Sequence, residues 1–280
     1  MRIFILIVIV SLQSLAFAKG DCQDHFYARQ APAPSADRIL CKRGFVIGYD
    51  VKLKAPVWSA ERLSTDRIVR AARLERKDYF HTEELLPSSD RRDLRDFAGD
   101  GMDRGHLAPS SDMPDYESQY DSFSLANMVP QDPEHNRGIW RGVEDTVRDQ
   151  VFEFGEAYVV TGAVYPSGRS LEVPVPLVLY KAVYFPKVGV SGVYASANEP
   201  AAVVSIHSLN EFEHRYGFRV FPAVQATGEL HAAILAKPYE IDGSPSTFED
   251  TDHAPMWSFD VHRLIDFVRQ CFLWIAKWLL

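Results

Sequence analysis

The order of apolar patterns in this chain predicts an α+β fold with a central, mostly antiparallel sheet flanked by helices. Three observations lead there. "GFVIGYDVKLKAPVWSAERL", residues 44–63, alternates as a hairpin does, with one strand over Val46 to Val51 and the next over Ala55 to Leu63. "AYVVTGAVY" and "VPVPLVLYKAVYF", residues 157–165 and 173–185, are apolar runs of strand length, the second with its prolines at the start. Between hairpin and runs, Asp132 followed by Pro133 opens a long helical pattern, with Asp as N-cap and Pro in the first turn.

In chain order, residues 1–18, "MRIFILIVIVSLQSLAFA", read as a secretory signal peptide. Arg2 is followed by an apolar run and then by Ala16 and Ala18 in A-x-A spacing, so cleavage is expected after Ala18. The apolar core is too short to span a bilayer comfortably. Export follows, to the periplasm or outside the cell. Residues 19–41 read as a loop-like N-terminal extension punctuated by "APAPSAD". In an exported chain Cys22 and Cys41 are expected to form one disulfide that pins the mature N-terminus, leaving Cys271 free; spacing alone does not fix the pairing.

From Thr65 to about Asp100 charges of both signs are dense, as in a long surface excursion with short helical pieces. "SFSLANMVPQ" begins extended, and the helix that follows should run to Phe154 and stop at Gly155. "GVYASAN" and "FRVFPAV" supply further strand material around "SLNEFEHRYG", a short helix. The last residues, 251–280, form an apolar tail with spaced charges. A docked helix is the first reading of it, with weak membrane association as the rival.

With 280 residues, 46% hydrophobic and 24% charged, the chain can bury a substantial core. Its net charge of −8 counts against a protein whose affinity rests on neutralising phosphates. It counts less against an enzyme, where a metal ion and a few arginines carry that charge locally.

"MDRGHLAPSSDM", residues 102–113, is poor core material and rich in reactive side chains. In an extended segment Arg104 and His106 project to one side, and Gly105 between them admits another backbone or a substrate. A guanidinium beside an imidazole favours its neutral form, which suits a general base next to an anionic group. On the helix, Asn136, Trp140, Glu144 and Arg148 recur every four residues, and at about 100° per residue they form one slanted stripe. An amide oxygen is a hard ligand for Mg²⁺, a carboxylate further along can hold its waters, and an arginine can clamp a phosphate. Taken singly, these residues could be a surface histidine, a capping amide and an i,i+4 ion pair.

The combination D-R-G-H at 103–106, then N-x-x-P-Q from Asn127, then N-x-x-x-W-x-x-x-E-x-x-x-R from Asn136 resembles the DNA/RNA non-specific endonuclease family, over residues 42 to 225. The resemblance implies a ββα-metal nuclease fold, in a domain taken here as residues 42–250, with one Mg²⁺ or alternatively Mn²⁺. His106 would be the general base and Asn136 the metal ligand. Glu144 would orient metal-bound water, and Asn127 would help position the site. Arg104 and Arg148 would hold the phosphate, and Asp103 would fix the loop or a metal-bound water. A further family arginine is matched to Arg76, with Arg73 as its rival. Substrates would be DNA and RNA read through phosphate and sugar, giving 5′-phosphorylated products and little sequence preference. Activity would fall below the ordinary histidine pKa of about 6.5.

Other readings stay open. The chain could be a catalytically silent nuclease-like binding or structural module, and it could be a homodimer. A zinc hydrolase fits poorly, because Cys22, Cys41 and Cys271 lack C-x-x-C spacing and His207, His214 and His231 stand apart in sequence.

Overall fold

A computed structural model describes residues 22–98, 101–166 and 174–225. The signal peptide, the apolar tail, His231 and Cys271 lie outside the described residues. Seven strands form one sheet in the order β1 (Arg38–Cys41), β2 (Val46–Asp50), β3 (Ala55–Ser64), β6 (Glu156–Val164), β7 (Val178–Phe185), β8 (Val190–Ala197) and β9 (Ser205–His207). Every neighbouring pair is antiparallel. Two further strands, β4 (Asp103–His106) and β5 (Met128–Gln131), make a separate ribbon.

The sheet is covered on both faces, which is why β7 and β8 are buried almost throughout instead of alternating with solvent. On one face lies helix α4 (Arg141–Phe154), whose Val143, Val147 and Val151 pack with Leu63, Val159, Leu179, Val183 and Phe185. On the other, helix α5 (Leu209–Tyr216) contributes Leu209 and Phe212 to a core with Trp58, Tyr180 and Val193. Ser208 and Glu211 close a capping box at the start of α5. α4 stops where expected, at Gly155 with φ of 85°.

Three sequence expectations change. Residues 22–41 are part of this sheet and core: β1 pairs with β2, Cys22 and Phe26 are buried, and Cys22 is bonded to Cys41. A boundary at residue 42 therefore cuts through the fold. "FRVFPAV" is not a strand. Val220, Phe221 and Val224 are apolar because they seal the α5 face of the core, and packing rather than pairing sets their pattern. The helix after Asp132 is broken into α3 (Pro133–His135), a wide π turn (Asn136–Trp140) and α4.

Between β3 and β6, adjacent in the sheet, the chain leaves for some ninety residues. That excursion carries helix α1 (Thr65–Ala71), the β4–β5 ribbon, helix α2 (Tyr116–Ser122) and the broken helix. Among the described residues no helix is long and apolar enough to cross a membrane.

Candidate active site

β4 runs antiparallel to β5, with Asp103 opposite Gln131 and His106 opposite Met128. Gly105 is dictated by this pairing. A Cβ there would lie 1.9 Å from Gln131 Oε1, and Gln131 is fully buried, so no other residue fits without moving it. Asn127 closes the end of the ribbon. Its Oδ1 accepts from Ala108 N at 3.0 Å, and its Nδ2 donates to Ala108 O at 2.8 Å and to Ser122 O at 2.9 Å. With both amide protons and the oxygen committed to backbone, Asn127 holds the turn after His106. β5 passes directly into α3, where Asp132 accepts from the N–H groups of Glu134 and His135. Strand, strand and helix are thus contiguous in space.

The π turn sets the direction of Asn136. Gly138, at φ −101° and ψ −109°, leaves helical geometry, so the four-residue stripe does not continue from Trp140 back to Asn136. Asn136 faces the ribbon: its Nδ2 donates to Asp103 Oδ2 at 2.9 Å. Arg137 grips the same carboxylate from the solvent side, Nε to Oδ2 at 2.8 Å and Nη2 to Oδ1 at 2.6 Å. Because a carboxylate can only accept, it fixes the amide with N–H inward, leaving Oδ1 without a protein hydrogen bond among the described residues. Trp140, by contrast, is buried and stacked on His135.

His106 packs edge-on against Phe123, with ring centroids 5.0 Å apart, and near Phe80 at 6.2 Å. Its Nε2 is buried with no hydrogen-bond partner. Burial, and then the charge of Arg76, push its pKa down to about 3, so the ring is neutral across the physiological range. Arg104 lies 4.1 Å over the face of Phe80 and Arg76 lies 5.4 Å over Phe123. Of the two rival arginines, Arg76 is the one whose charge reaches His106.

Glu144 and Arg148 belong to a buried charged layer beneath α4. Arg148 donates to Asp112 at 2.9 Å and also pairs with Asp145. The residue expected to hold a phosphate thus has a side chain only 14% exposed and already engaged by two carboxylates. Burial lowers its pKa, but Asp112, Glu144 and Asp145 outweigh that and raise it overall. Burial pushes the Glu144 carboxyl up to about 7, against the pull of Lys181 and Arg148 and with the help of Asp112 and Asp145. Lys181 is itself buried and hydrogen-bonded to Thr161 at 2.5 Å. The buried Glu61 carboxyl is also raised, by burial first and by Asp112 next, and it pairs with Arg67 at 3.1 Å.

The DNA/RNA non-specific endonuclease model matches residues 22–227. The chain belongs to this family. A curated nuclease of Nostoc sp. is 30% identical over 190 residues, covering 65% of this chain and 67% of that protein. The mitochondrial nuclease EXOG of Danio rerio is 30% identical over 207 residues, covering 64% of this chain and 60% of its own length. A nuclease of Syncephalastrum racemosum, 32% identical over 143 residues, is spanned over 44% of its length. Among solved structures, one of the EndoG/EndoGI complex superposes with a TM-score of 0.59 at 21% identity, covering 76% of this chain and 94% of that one. The fold of this endonuclease domain is therefore the ββα-metal nuclease fold.

Within that family fold, the structure brings Asp103, Asn136 and Arg137 into direct contact. It gathers His106, Arg76 and Arg104 around Phe80 and Phe123. It places Glu144 and Arg148 in the layer with Asp112 and Lys181. Sequence reasoning missed Arg137, Asp112 and Lys181. Arg137 and Asp112 sit inside the quoted motif stretches. Lys181 carries a signal of its own, a lone cation inside an apolar strand. No group of three or more His, Cys, Asp or Glu residues that could hold a metal occurs among the described residues. Asp103 and Asn136 meet at the ribbon instead. They fit a hard, mostly hydrated cation held by one oriented amide oxygen.

Proposed function

We propose that the chain hydrolyses internal phosphodiester bonds of DNA and RNA, leaving 5′-phosphates, with His106 as general base and a hydrated Mg²⁺, or Mn²⁺ in its place, on Asn136. One observation carries this reading: Asp103 orients the Asn136 amide with its oxygen free, on the ribbon that also bears a neutral imidazole. A neutral His106 can take a proton from water as that water attacks phosphorus and the P–O3′ bond breaks. A bound divalent ion would supply charge to the phosphate oxygens and to the departing 3′ oxygen. Glu144 would accept hydrogen bonds from the waters of that ion. Arg104 and Arg76, held over aromatic faces, present cationic edges beside His106 where charge develops. Arg137 uses only part of its guanidinium on Asp103, so further N–H groups remain for a phosphate oxygen.

We propose also that the protein works outside the cytosol, in the periplasm or the medium. The Cys22–Cys41 disulfide supports this, because such bonds persist in oxidising compartments.

Full-length protein incubated with plasmid DNA, single-stranded DNA and RNA in Mg²⁺ should degrade all three, and EDTA should stop it. No cleavage of any substrate in Mg²⁺ or Mn²⁺ would leave only a silent nuclease-like module.

A further inference from the structure

An open cleft of about 830 Å³ is lined by Tyr116 and Tyr120 from α2, by Lys42 and Arg43, by the carboxylates Asp24, Glu117 and Asp121, and by the Cys22–Cys41 disulfide. We propose that this cleft is a stacking subsite for unpaired bases of the nucleic-acid strand being cut, with Tyr116 and Tyr120 as its rungs and Lys77, outside the cleft lining but over the Tyr116 ring, as the neighbouring cation. The proposal rests on the nuclease reading and adds to it a preference for single strands.

Tyr116 and Tyr120 are 51% and 48% exposed, unusual for two large rings on one short helix. Four residues apart, they share a helix face with a rise of about 6 Å between them. That is nearly twice the ~3.4 Å step along one strand of a duplex, so the ladder matches bases drawn apart and not bases stacked in a helix. One face of Tyr120 already stacks on His81, with centroids 4.1 Å apart and planes 8° from parallel. A nucleobase on the other face would lengthen an existing stack. Lys77 Nζ sits 5.0 Å from the Tyr116 ring, where it can meet the phosphate between two stacked bases.

The ladder is continuous with the catalytic residues. Phe123 N–H donates to Tyr120 O at 3.0 Å, and the Phe123 ring is the one against which His106 packs. His81, beneath Tyr120, follows Phe80 directly and pairs its backbone with Phe123 and Leu125. The carboxylates nearby have partners of their own. Asp24 pairs with Arg29 at 3.0 Å, and Asp115 and Glu117 pair with Arg43 at 3.3 and 2.8 Å. Asp121 accepts from Arg43 N–H at 3.3 Å, while Lys42 is held chiefly by Glu83 at 2.7 Å. A chain of net charge −8 gains little from broad phosphate attraction, whereas base stacking needs no net charge.

The test uses the full chain as wild type, Tyr116→Ala, Tyr120→Ala, the double variant and Tyr116→Phe/Tyr120→Phe. Binding of a fluorescein-labelled single-stranded oligonucleotide is read by anisotropy in EDTA. Cleavage of single-stranded and duplex DNA is read in Mg²⁺. Each alanine should weaken single-strand binding about 10-fold and raise the single-strand KM in proportion. The phenylalanine pair should bind as wild type does, and duplex cleavage should stay within twofold. Unchanged single-strand binding in the double alanine variant overturns the proposal, as does an equal loss on both substrates. A wild type that cleaves nothing would defeat the nuclease reading, and the binding arm would still decide the stacking subsite.

Discussion

Asn136 donates an amide N–H to Asp103 at 2.9 Å, so the first residue of the D-R-G-H strand decides which atom of the helix carboxamide is free to meet a cation. Asp103 does this while also gripped by Arg137. Asp103→Ala should leave the amide free to turn over. The expected result is a 10- to 100-fold rise in the Mg²⁺ concentration for half-maximal cleavage, with much of the rate recovered at saturating metal. Titrating activity against Mg²⁺ reads this directly. An unchanged metal dependence would remove Asp103 from the site's support.

His106→Ala and Asn136→Ala should fold with the wild-type circular dichroism spectrum and lose cleavage by about 10²-fold or more, the scale of a general base. Near-normal turnover in either would refute its assignment.

The pH dependence should not be that of an ordinary histidine. His106 is pushed to about 3, so its protonation cannot be what limits the rate near pH 6.5. Glu144, raised to about 7 by burial, is protonated below that point and, in the role proposed for it, could then no longer accept from metal-bound water. Cleavage should therefore fall as pH drops through about 7. Glu144→Gln should lower the plateau and abolish that limb, while Lys181→Met, which removes a neighbouring positive charge, should move it upward. The stability signs differ. Glu144 binds more protons folded than unfolded between its ordinary value and about 7, so its contribution declines as pH rises through that window. For His106 the unfolded chain binds more protons from about 3 to 6.5, so its contribution is lost as pH falls.

Gly105→Ala would bring a methyl to 1.9 Å from Gln131 Oε1 and 2.7 Å from its Cβ. Overpacking of this kind costs about 1–3 kcal/mol, and thermal melting should show it as a lowered Tm. An unaltered Tm would mean that the ribbon yields more easily than its packing implies.

The sheet was legible because its strands are long and apolar, and the start of the broken helix because Asp132 and Pro133 announce it. β1 was not. Four residues beside a proline-rich stretch carry too little pattern, and pairing with β2 supplies what the letters lack. Helix α2 gives no apolar periodicity because its inward residues are Ser118, Gln119 and Ser122. In the site, residue types pointed to His106, Asn136 and Glu144. The charge layer of Asp112, Arg148 and Lys181 depends on residues far apart in sequence and could be seen only once the chain was folded. The direction of Asn136 was hidden for a different reason: a regular 3.6-residue count cannot anticipate a wide turn.

That wide turn, centred near Gly138, acts as a phase shifter within one helical run. Downstream, α4 is oriented by what its valines must bury against the sheet; upstream, Asn136 is oriented by what it must reach on the ribbon. Neither demand has to compromise with the other. Lineages of this domain could thus drift freely in the hydrophobic grip of α4 while the Asn136 end keeps its aim, whereas loss of a single residue from the turn would swing that end out of alignment and pull apart the His135–Trp140 stack that bridges it.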